Sequence, residues 1–507
     1  MARIAMIVSN PCLSDARVLK MVEVAKLAGH EVHVFATLGQ GGKPFEVVDG
    51  VSFHRFEWNP GSLLRSKWYM KVLKFIVPIK MVQGFVVKNL AKWKKFGLFS
   101  ELMSEKILAI APDIIHAHDL ICLPTGAAVA KESGCKLIYD AHELEVHRNP
   151  PLPFFLKRYT HYLEKKYAQK ANEVITVGRF VAGVLGKSIN RKDIHVLYNS
   201  PIVEDTFYNI RADLQLDSEV PILLYVGKVT MGRGVGDILN ILPKIPGVFF
   251  AAVGPSDLRT SKILLRKASR LGVLDRFRIL PPVPYKGVVS YISGATVGLL
   301  SVEPVTLSYQ YCIPNKLFEM TFADVPILAN ELDEVKEFIS EIGNGKIVDF
   351  ADTNSLPYEI QMAISNREGY LHNSKTKQLL LEQYSWSAQA QKLRSIYDKH
   401  SPHNDHKGSV AAVKFQNDIV ESVGVPPVHS SGLIASPLDA LTIENNNIHN
   451  ENSVVSNIPR TKESLLQDFR DKYGLIDLCM TTRANIPSYR ALCQILKDSG
   501  KENITMH

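Results

Sequence analysis

Apolar positions over the first 400 residues follow two spacings in alternation. Short, nearly unbroken apolar runs fall at 3–9 (RIAMIVS), 31–36 (EVHVFA), 113–116 (DIIH), 136–139 (KLIY), 173–176 (EVIT) and 194–197 (IHVL). Such runs predict strands buried on both faces. Between the first two, Val18, Leu19, Val22, Ala25 and Leu27 recur at helical spacing over 15–28, and Gly29 stops that helix. A second series begins at Pro221, with strands predicted at 222–226 (ILLYV), 248–253 (VFFAAV), 276–280 (RFRIL), 296–300 (TVGLL) and 326–329 (PILA). Helices are expected near 233–243, 257–270, 315–323 and 333–340. Strand, helix and strand in series imply parallel, doubly wound sheets. The chain therefore reads as α/β, with two facing Rossmann-like domains and a boundary between Asn199 and Pro221. Two open sheets that face each other leave a cleft at the carboxyl ends of their strands, where open α/β folds bind ligands.

Beyond His400 the pattern fades. Residues 401–457 (SPHND, VPPVHSSG, ENNNIHNEN) read as a flexible linker. Residues 458–507 regain apolar spacing at Leu465, Leu466, Phe469 and Tyr473, then at Tyr489, Leu492, Ile495 and Leu496, and predict a small helical C-terminal module that could dock a protein partner. The expected organisation is a first Rossmann-like domain at 1–200, a second at 201–384, a C-terminal helix at 385–400 returning to the first domain, the linker, and the module.

Composition narrows the class. A chain of 507 residues, 46% apolar and 22% charged, is that of a soluble globular protein of two or three domains. It excludes a wholly disordered chain, a collagen and a multi-span membrane protein. Six cysteines with no CxxC pair exclude a disulfide scaffold and a zinc ribbon, and fit reduced thiols in a cytosol. The opening MARIAMIVSN has too short an apolar run for a signal peptide and reads better as a strand. No run of 18 apolar residues predicts a membrane span.

The net charge of +8 is uneven: residues 1–400 carry 49 Lys and Arg against 39 Asp and Glu, and residues 401–507 carry 10 against 12. The excess concentrates in 62–99, which holds nine cations and no acid, interleaved with residues such as Trp68, Tyr69, Phe75, Phe85 and Trp93. A basic segment with aromatic and aliphatic faces fits a helix lying on an anionic membrane surface. It equally fits a helical excursion packed on its own domain with lysines in water. Nucleic acid fits less well, because no single-strand-binding motif accompanies it.

Four segments carry candidate chemistry. The first, DIIHAHD at 113–119, ends a strand on His116, His118 and Asp119. Alternation puts the two histidines on one side, where they could bind a metal, sit as satisfied loop residues, or hydrogen-bond a substrate hydroxyl and move protons. The second, YDAHE at 139–143, closes the next strand the same way on Asp140, His142 and Glu143. The third, YVGKVTMGRG at 225–234, places Gly227 and Lys228 at a strand end and Arg233 before a helix. It is neither a Walker A loop nor GxGxxG, and alone it fits a charged surface turn as well as an anion site. The fourth, PNKLFE at 314–319, starts a helix at Pro314 and Asn315, with Lys316 in reach of a phosphate and Glu319 one turn in.

Order and spacing together resemble the retaining glycosyltransferases of the GT-B fold, the large family-four group, from about residue 2 to 398. The marks are Asp15-Ala16-Arg17, HAHD at 116–119, YDAHE at 139–143, YNSP at 198–201, YVGK with Arg233-Gly234, VGP at 253–255, PNKLFE with its VPIL strand, and YSWSAQAQKL at 384–393. The resemblance implies Lys228 and Arg233 on the donor diphosphate beside Gly227, Glu319 on the donor ribose, Asn315 and Lys316 on the phosphate-cradling loop, and His118 near the transferred sugar. His118 and Glu319 are thus the implied catalytic pair. Asp15, Arg17, Asp140, His142 and Glu143 are candidate acceptor or sugar contacts. No metal or other cofactor is implied: the nucleotide-diphosphate sugar is a co-substrate, and cations and helix dipoles neutralise the leaving diphosphate. Two departures stand out. Many members carry a second Glu eight residues before the ribose-binding one, and here that position is Tyr311. The first loop reads SNPCLSDAR and lacks the usual Gly-Gly pair.

The expected function is transfer of a sugar to a glycan or lipid-linked acceptor, in cell-surface polysaccharide synthesis, by a cytoplasmic enzyme peripheral on the inner membrane face. Two alternatives remain at this point. One is a sugar-nucleotide epimerase of the same fold using Asp140 or Glu143 as base. The other is a non-catalytic nucleotide-sugar-binding scaffold.

Overall fold

The computed structural model describes residues 1–67, 80–204 and 209–402. The expected linker and C-terminal module, and residues 68–79 of the basic segment, lie outside the described residues.

The first sheet contains β1 (Arg3–Ile7), β2 (Glu31–Thr37), β3 (Phe45–Val48), β4 (Val51–Phe56), β5 (Ile114–His118), β6 (Lys136–Ala141), β7 (Glu173–Thr176) and β8 (Ile194–Val196). Their order is β3-β4-β2-β1-β5-β6-β7-β8. Every neighbouring pair is parallel except β3 with β4. The unbroken apolar runs have a direct cause. Ile4, Met6, Ile114 and Ile138 enter one core, while Ala5, Ile7, Ile115 and Leu137 enter the core on the opposite face. The second sheet contains β9 (Ile222–Val226), β10 (Phe249–Val253), β11 (Phe277–Leu280), β12 (Val297–Leu300), β13 (Ile327–Ala329) and β14 (Gly345–Ile347), in the order β11-β10-β9-β12-β13-β14. It too is parallel and has a core on each face. In each sheet the chain reverses direction of growth beside its first strand, between β1 and β5 and between β9 and β12. Those are the switch points at which such folds open a crevice.

Three expectations need correcting. The hairpin β3–β4 was absent from the sequence reading, although Asp49-Gly50 between EVV and VSFHRF is a strong two-residue turn signal. Both residues adopt left-handed φ, 49° and 80°, as a type I′ turn requires. The strand β14 was also absent, because three residues that include a glycine carry no periodic signal. Finally, β5 runs to His118, two residues past the expected end at His116, so His118 joins His116 within the strand.

The helix Trp386–His400 packs on the helix Ala16–Leu27 of the first half, where Trp386, Ala390, Leu393, Ile396 and Tyr397 join the core around Val18, Met21 and Val22. In the basic segment, a helix runs from Lys80 to Leu108. Its Phe96, Phe99, Met103 and Ile107 are buried in the first half's core. Among the described side chains of that segment, Lys67 pairs with Glu101 and Lys95 with Glu145, the latter at 3.7 Å. Lys92, Trp93 and Lys94 point outward.

The halves also meet through a buried carboxylate. Glu334, on the helix Asp333–Ile342 of the second half, is fully buried. It accepts hydrogen bonds from the backbone N–H groups of Arg179 (2.7 Å) and Phe180 (3.2 Å), at the start of a first-half helix, and from the Tyr198 hydroxyl (3.3 Å). It thus satisfies N–H groups that a helix leaves unpaired, and its negative charge suits the positive end of the helix dipole. Residue 178 must be glycine for this approach, since a Cβ there would lie 2.3 Å from Glu334 Oε2.

Candidate active site

At the carboxyl edge of the first sheet, β5 and β6 run side by side with His118 opposite Asp140. The helix Ala16–Leu27 brings in Arg17. Its Nε and Nη2 donate to the two oxygens of Asp140 at 2.8 and 2.7 Å, and Nη1 donates to the Leu197 carbonyl at 3.0 Å. Both side chains are buried. Asp140 Oδ2 also lies 3.2 Å from His118 Nδ1 and 3.0 Å from His142 Nε2. Burial would raise the Asp140 carboxyl, but the Arg17 guanidinium, His142 and the imidazole hydrogen bonds overcome it and hold the group well below its usual range. A paired buried carboxylate of this kind stays ionised.

That charge fixes its neighbours. Burial pulls His142 down, yet Asp119 and Asp140 outweigh it and raise the imidazole to about 9. His142 is therefore an imidazolium at neutral pH, with Nδ1 3.4 Å from Asp119 and about a fifth of its side chain exposed. Asp119 itself holds φ at 64°, a costly conformation for a non-glycine residue at the edge of the site. Because Asp140 is an acceptor, His118 presents Nδ1–H to it and leaves Nε2 bare. Nε2 is buried without a hydrogen-bond partner. The His118 ring stacks on His116 at 4.2 Å. His116, pushed well below its usual pKa by burial first and then by His118, pairs through Nδ1 with the Tyr397 hydroxyl at 2.8 Å.

His116, His118 and Asp140 each offer a ligand-type atom within 4.8 Å of the others. The chemistry does not favour a cation there. Arg17 occupies both carboxylate oxygens, and the His142 imidazolium stands beside them.

The candidate contacts of the first half thus separate. Arg17 and Asp140 are turned on each other, which corrects the expectation that they face a ligand directly. Asp15 caps its helix by accepting from Val18 N (3.3 Å) and receives Asn10 Nδ2 at 2.7 Å. His142 reaches the cleft surface, and Glu143 is exposed.

The second half presents the opposite situation. Gly227 follows β9 with φ 122°, and Lys228 behind it is exposed. Arg233 is exposed as well, and its carbonyl accepts from Ser301 Oγ at 3.3 Å. Gly234 is required at this turn: φ is 82°, and a Cβ would lie 2.2 Å from Ser301 Oγ. The helix Asn315–Phe322 starts on Pro314 with no side-chain cap, and Asn315 is exposed at its tip. Lys316 folds back over the Tyr225 ring, 4.5 Å from its centroid. Burial first, then Arg233, lowers Lys316 to about 8. Glu319, one turn in, is raised by burial and opposed by Lys20 and Lys316. Among the described residues Lys228, Arg233 and Lys316 form no ion pair. Three cations, glycine turns and an uncapped helix start make an anion-receptive edge.

Lys20 was missed in the sequence, although it stands three residues from Arg17 on the inner face of the helix. It is almost fully buried, donates to the Ser200 carbonyl, and lies 4.4 Å above the Trp386 ring. Burial first, then Arg17, lowers it to about 7, while Glu319 opposes the shift. Tyr311, where a carboxylate is often found in the resembling family, packs on Phe180 with ring centroids 5.6 Å apart.

Known proteins resemble this chain in sequence over part of its length and in fold. Residues 17–200 match the model of Glycosyltransferase Family 4. A protein of Methanocaldococcus jannaschii described as an uncharacterized glycosyltransferase is 21% identical over 391 residues, which cover 73% of this chain and 90% of that protein. Among solved structures, sucrose-phosphate synthase from Thermosynechococcus elongatus matches with a TM-score of 0.60 at 17% identity, over 79% of this chain and 99% of that one. HepE of Anabaena in complex with UDP matches with a TM-score of 0.55 at 14% identity, over 79% and 100%. The first half of the chain thus matches the family-four glycosyltransferases in sequence, and the chain's two parallel sheets share the GT-B-like fold of those structures.

Proposed function

We propose that this enzyme transfers a sugar, with retention and without a metal, from a nucleotide-diphosphate donor to a glycan or lipid-linked acceptor. The observation that carries the reading is the unpaired cation edge of Lys228, Arg233 and Lys316 next to Glu319. A departing diphosphate carries the charge that edge lacks. Lys228 and Arg233 hold it from the strand side, while Lys316 and the backbone at Asn315 hold it from the helix. Glu319 accepts from the donor ribose. The bond from the anomeric carbon to the β-phosphate oxygen breaks, and the acceptor oxygen bonds to that carbon on the same face. The acceptor proton passes to the departing phosphate oxygen. Preorganised cations at the site of developing charge are worth about 10²–10³ in rate per donor removed.

On the first half, the His142 imidazolium is the group that faces the acceptor side. His118, fixed in its Nδ1–H tautomer by Asp140, offers Nε2 to a sugar hydroxyl when the cleft admits one. The epimerase alternative needs a basic carboxylate, and four donors hold Asp140 in its weakly basic state. An acceptor carried on a lipid, in cell-surface polysaccharide synthesis, agrees with the outward Lys92, Trp93 and Lys94 of the first half. So does a position on the inner face of the membrane. No helix among the described residues is long and apolar enough to cross one.

A thermal-shift panel of nucleotide sugars tests the reading. A donor present at 100 times its dissociation constant adds roughly 2.7 kcal/mol of stability. The expected result is a shift with one nucleotide series that disappears in Lys228→Ala and Glu319→Ala. Full transfer activity in both variants would sink the assignment.

A further inference from the structure

Outside the cleft, the helix Phe154–Ala168 follows β6 and begins on the same edge of the first sheet as His142. Its inner face, Leu156, Thr160, Leu163 and Glu164, is buried. Its start is not. Phe154 is 66% exposed and Phe155 73%, and one turn and two turns on, Arg158 and Tyr162 also face outward. Two adjacent phenylalanines this exposed oppose the ordinary tendency of large apolar side chains to be buried.

The charge around them has one sign. From Val146 to Lys170 the sequence holds six Lys and Arg and one acid, Glu164, which is 2% exposed and bonded to the Tyr139 hydroxyl at 3.0 Å. Every exposed charged side chain of that stretch is therefore a cation. Arg158 lies 5.9 Å from the Phe154 ring centroid and Lys166 lies 5.5 Å from that of Tyr162, so cations and rings share one surface. The surface continues onto the neighbouring helix Lys80–Leu108, where Trp93 packs on Tyr159 at 5.3 Å between the outward Lys92 and Lys94.

Apolar rings at a helix start, backed by cations and free of exposed acids over 146–170, match an anionic lipid surface in both of its layers. The rings suit the boundary of the acyl region, and the cations suit the headgroups. A protein partner needs only an apolar patch and gives no reason for the missing acids. We propose that Phe154 and Phe155 insert into an anionic leaflet, with Arg158 and Lys166 on its headgroups, and that this seats the acceptor edge of the cleft against the membrane. The proposal rests on the membrane-side reading given above and adds to it a second anchor, outside residues 62–99.

Flotation of the full chain with phosphatidylcholine vesicles, with and without phosphatidylglycerol, tests it. Binding to the anionic vesicles is expected, falling at least about tenfold in Phe154→Ser/Phe155→Ser and in Arg158→Glu/Lys166→Glu. The thermal midpoint should stay unchanged in both, since these side chains are exposed. Equal binding by the wild type and the phenylalanine variant overturns the insertion and leaves the broader membrane reading standing. Equal binding to neutral and anionic vesicles overturns the role of the cations. No binding by the wild type overturns both readings and leaves the patch to a protein partner.

Discussion

The polar clusters of the two halves occupy equivalent places, each at the carboxyl edge of a parallel sheet beside its switch point, yet they are in opposite electrostatic states. The first-half cluster is balanced in charge, with Arg17 and His142 against Asp140 and Asp119. Asp140 receives four donors, His142 is held protonated between two carboxylates, and Arg17 has no free role. The second-half cluster is incomplete. Lys316 is driven down by burial and by Arg233, Glu319 only partly opposes that shift, and among the described residues Lys316 forms no ion pair. The difference teaches where a ligand's charge is needed. A closed network supplies shape and fixed dipoles. An unbalanced one acquires its counter-charge from a substrate, and then loses that substrate's diphosphate as product.

Breaking the closed cluster should have the largest effect. Asp140→Ala leaves Arg17 buried without its partner, and removing one member of a buried pair costs about 3–5 kcal/mol. Urea unfolding should show that loss, and Arg17→Met in the same chain should recover part of it. The open cluster should respond in the other observable. Arg233→Ala is expected to lower kcat/KM by about 10²–10³ while leaving the urea midpoint in place.

Titration sharpens the contrast, because the two clusters move in opposite senses. His142 rises from 6.5 to about 9 on folding, so its contribution is fully present below about pH 6.5 and is lost as pH rises through 9. Lys20 falls to about 7 and Lys316 to about 8, so their folding penalties are present at low pH and relieved as pH rises toward 10.5. The wild-type profile mixes these slopes. The stability difference between wild type and His142→Gln isolates the first, and should shrink by roughly 3 kcal/mol at most between pH 6.5 and 9. A smaller effect concerns the register of the two halves. Gly178→Ala drives a Cβ against Glu334 and should cost about 1–3 kcal/mol as overpacking, read as a lower midpoint in thermal unfolding.

Much of this was legible in the residues. The parallel strands declared themselves because a strand buried on both faces is apolar almost throughout, as β9 and β10 are and as β1 is after Arg3. Strand ends and helix starts put Lys228, Arg233, Lys316 and Glu319 at one sheet edge, but each segment alone fitted an ordinary charged turn or helix start, and only the order and spacing that resemble a family singled them out. What was not legible is pairing across long separations. Nothing local says that Arg17 meets Asp140, that Tyr397 meets His116, or that Glu334 caps a helix that starts at Arg179. Those partners are 123, 281 and 155 residues apart. A charged residue reads alike in sequence whether it awaits a ligand or already has a partner, which is why Arg17 and Asp140 were expected to face substrate.

The proposed role of the second-half edge is to receive the donor's diphosphate. Calorimetry of nucleoside diphosphate binding, at about pH 9 and in buffers of different ionisation enthalpy, tests it most directly, using the nucleotide that the thermal-shift panel selects. Lys316, at about 8 in the free protein, should regain its proton when the diphosphate arrives. Binding should then take up a proton, and Lys316→Met should abolish the uptake and weaken binding at least about tenfold, as loss of a charge-assisted contact implies. Binding without proton uptake, or uptake and affinity unchanged in Lys316→Met, would contradict the account.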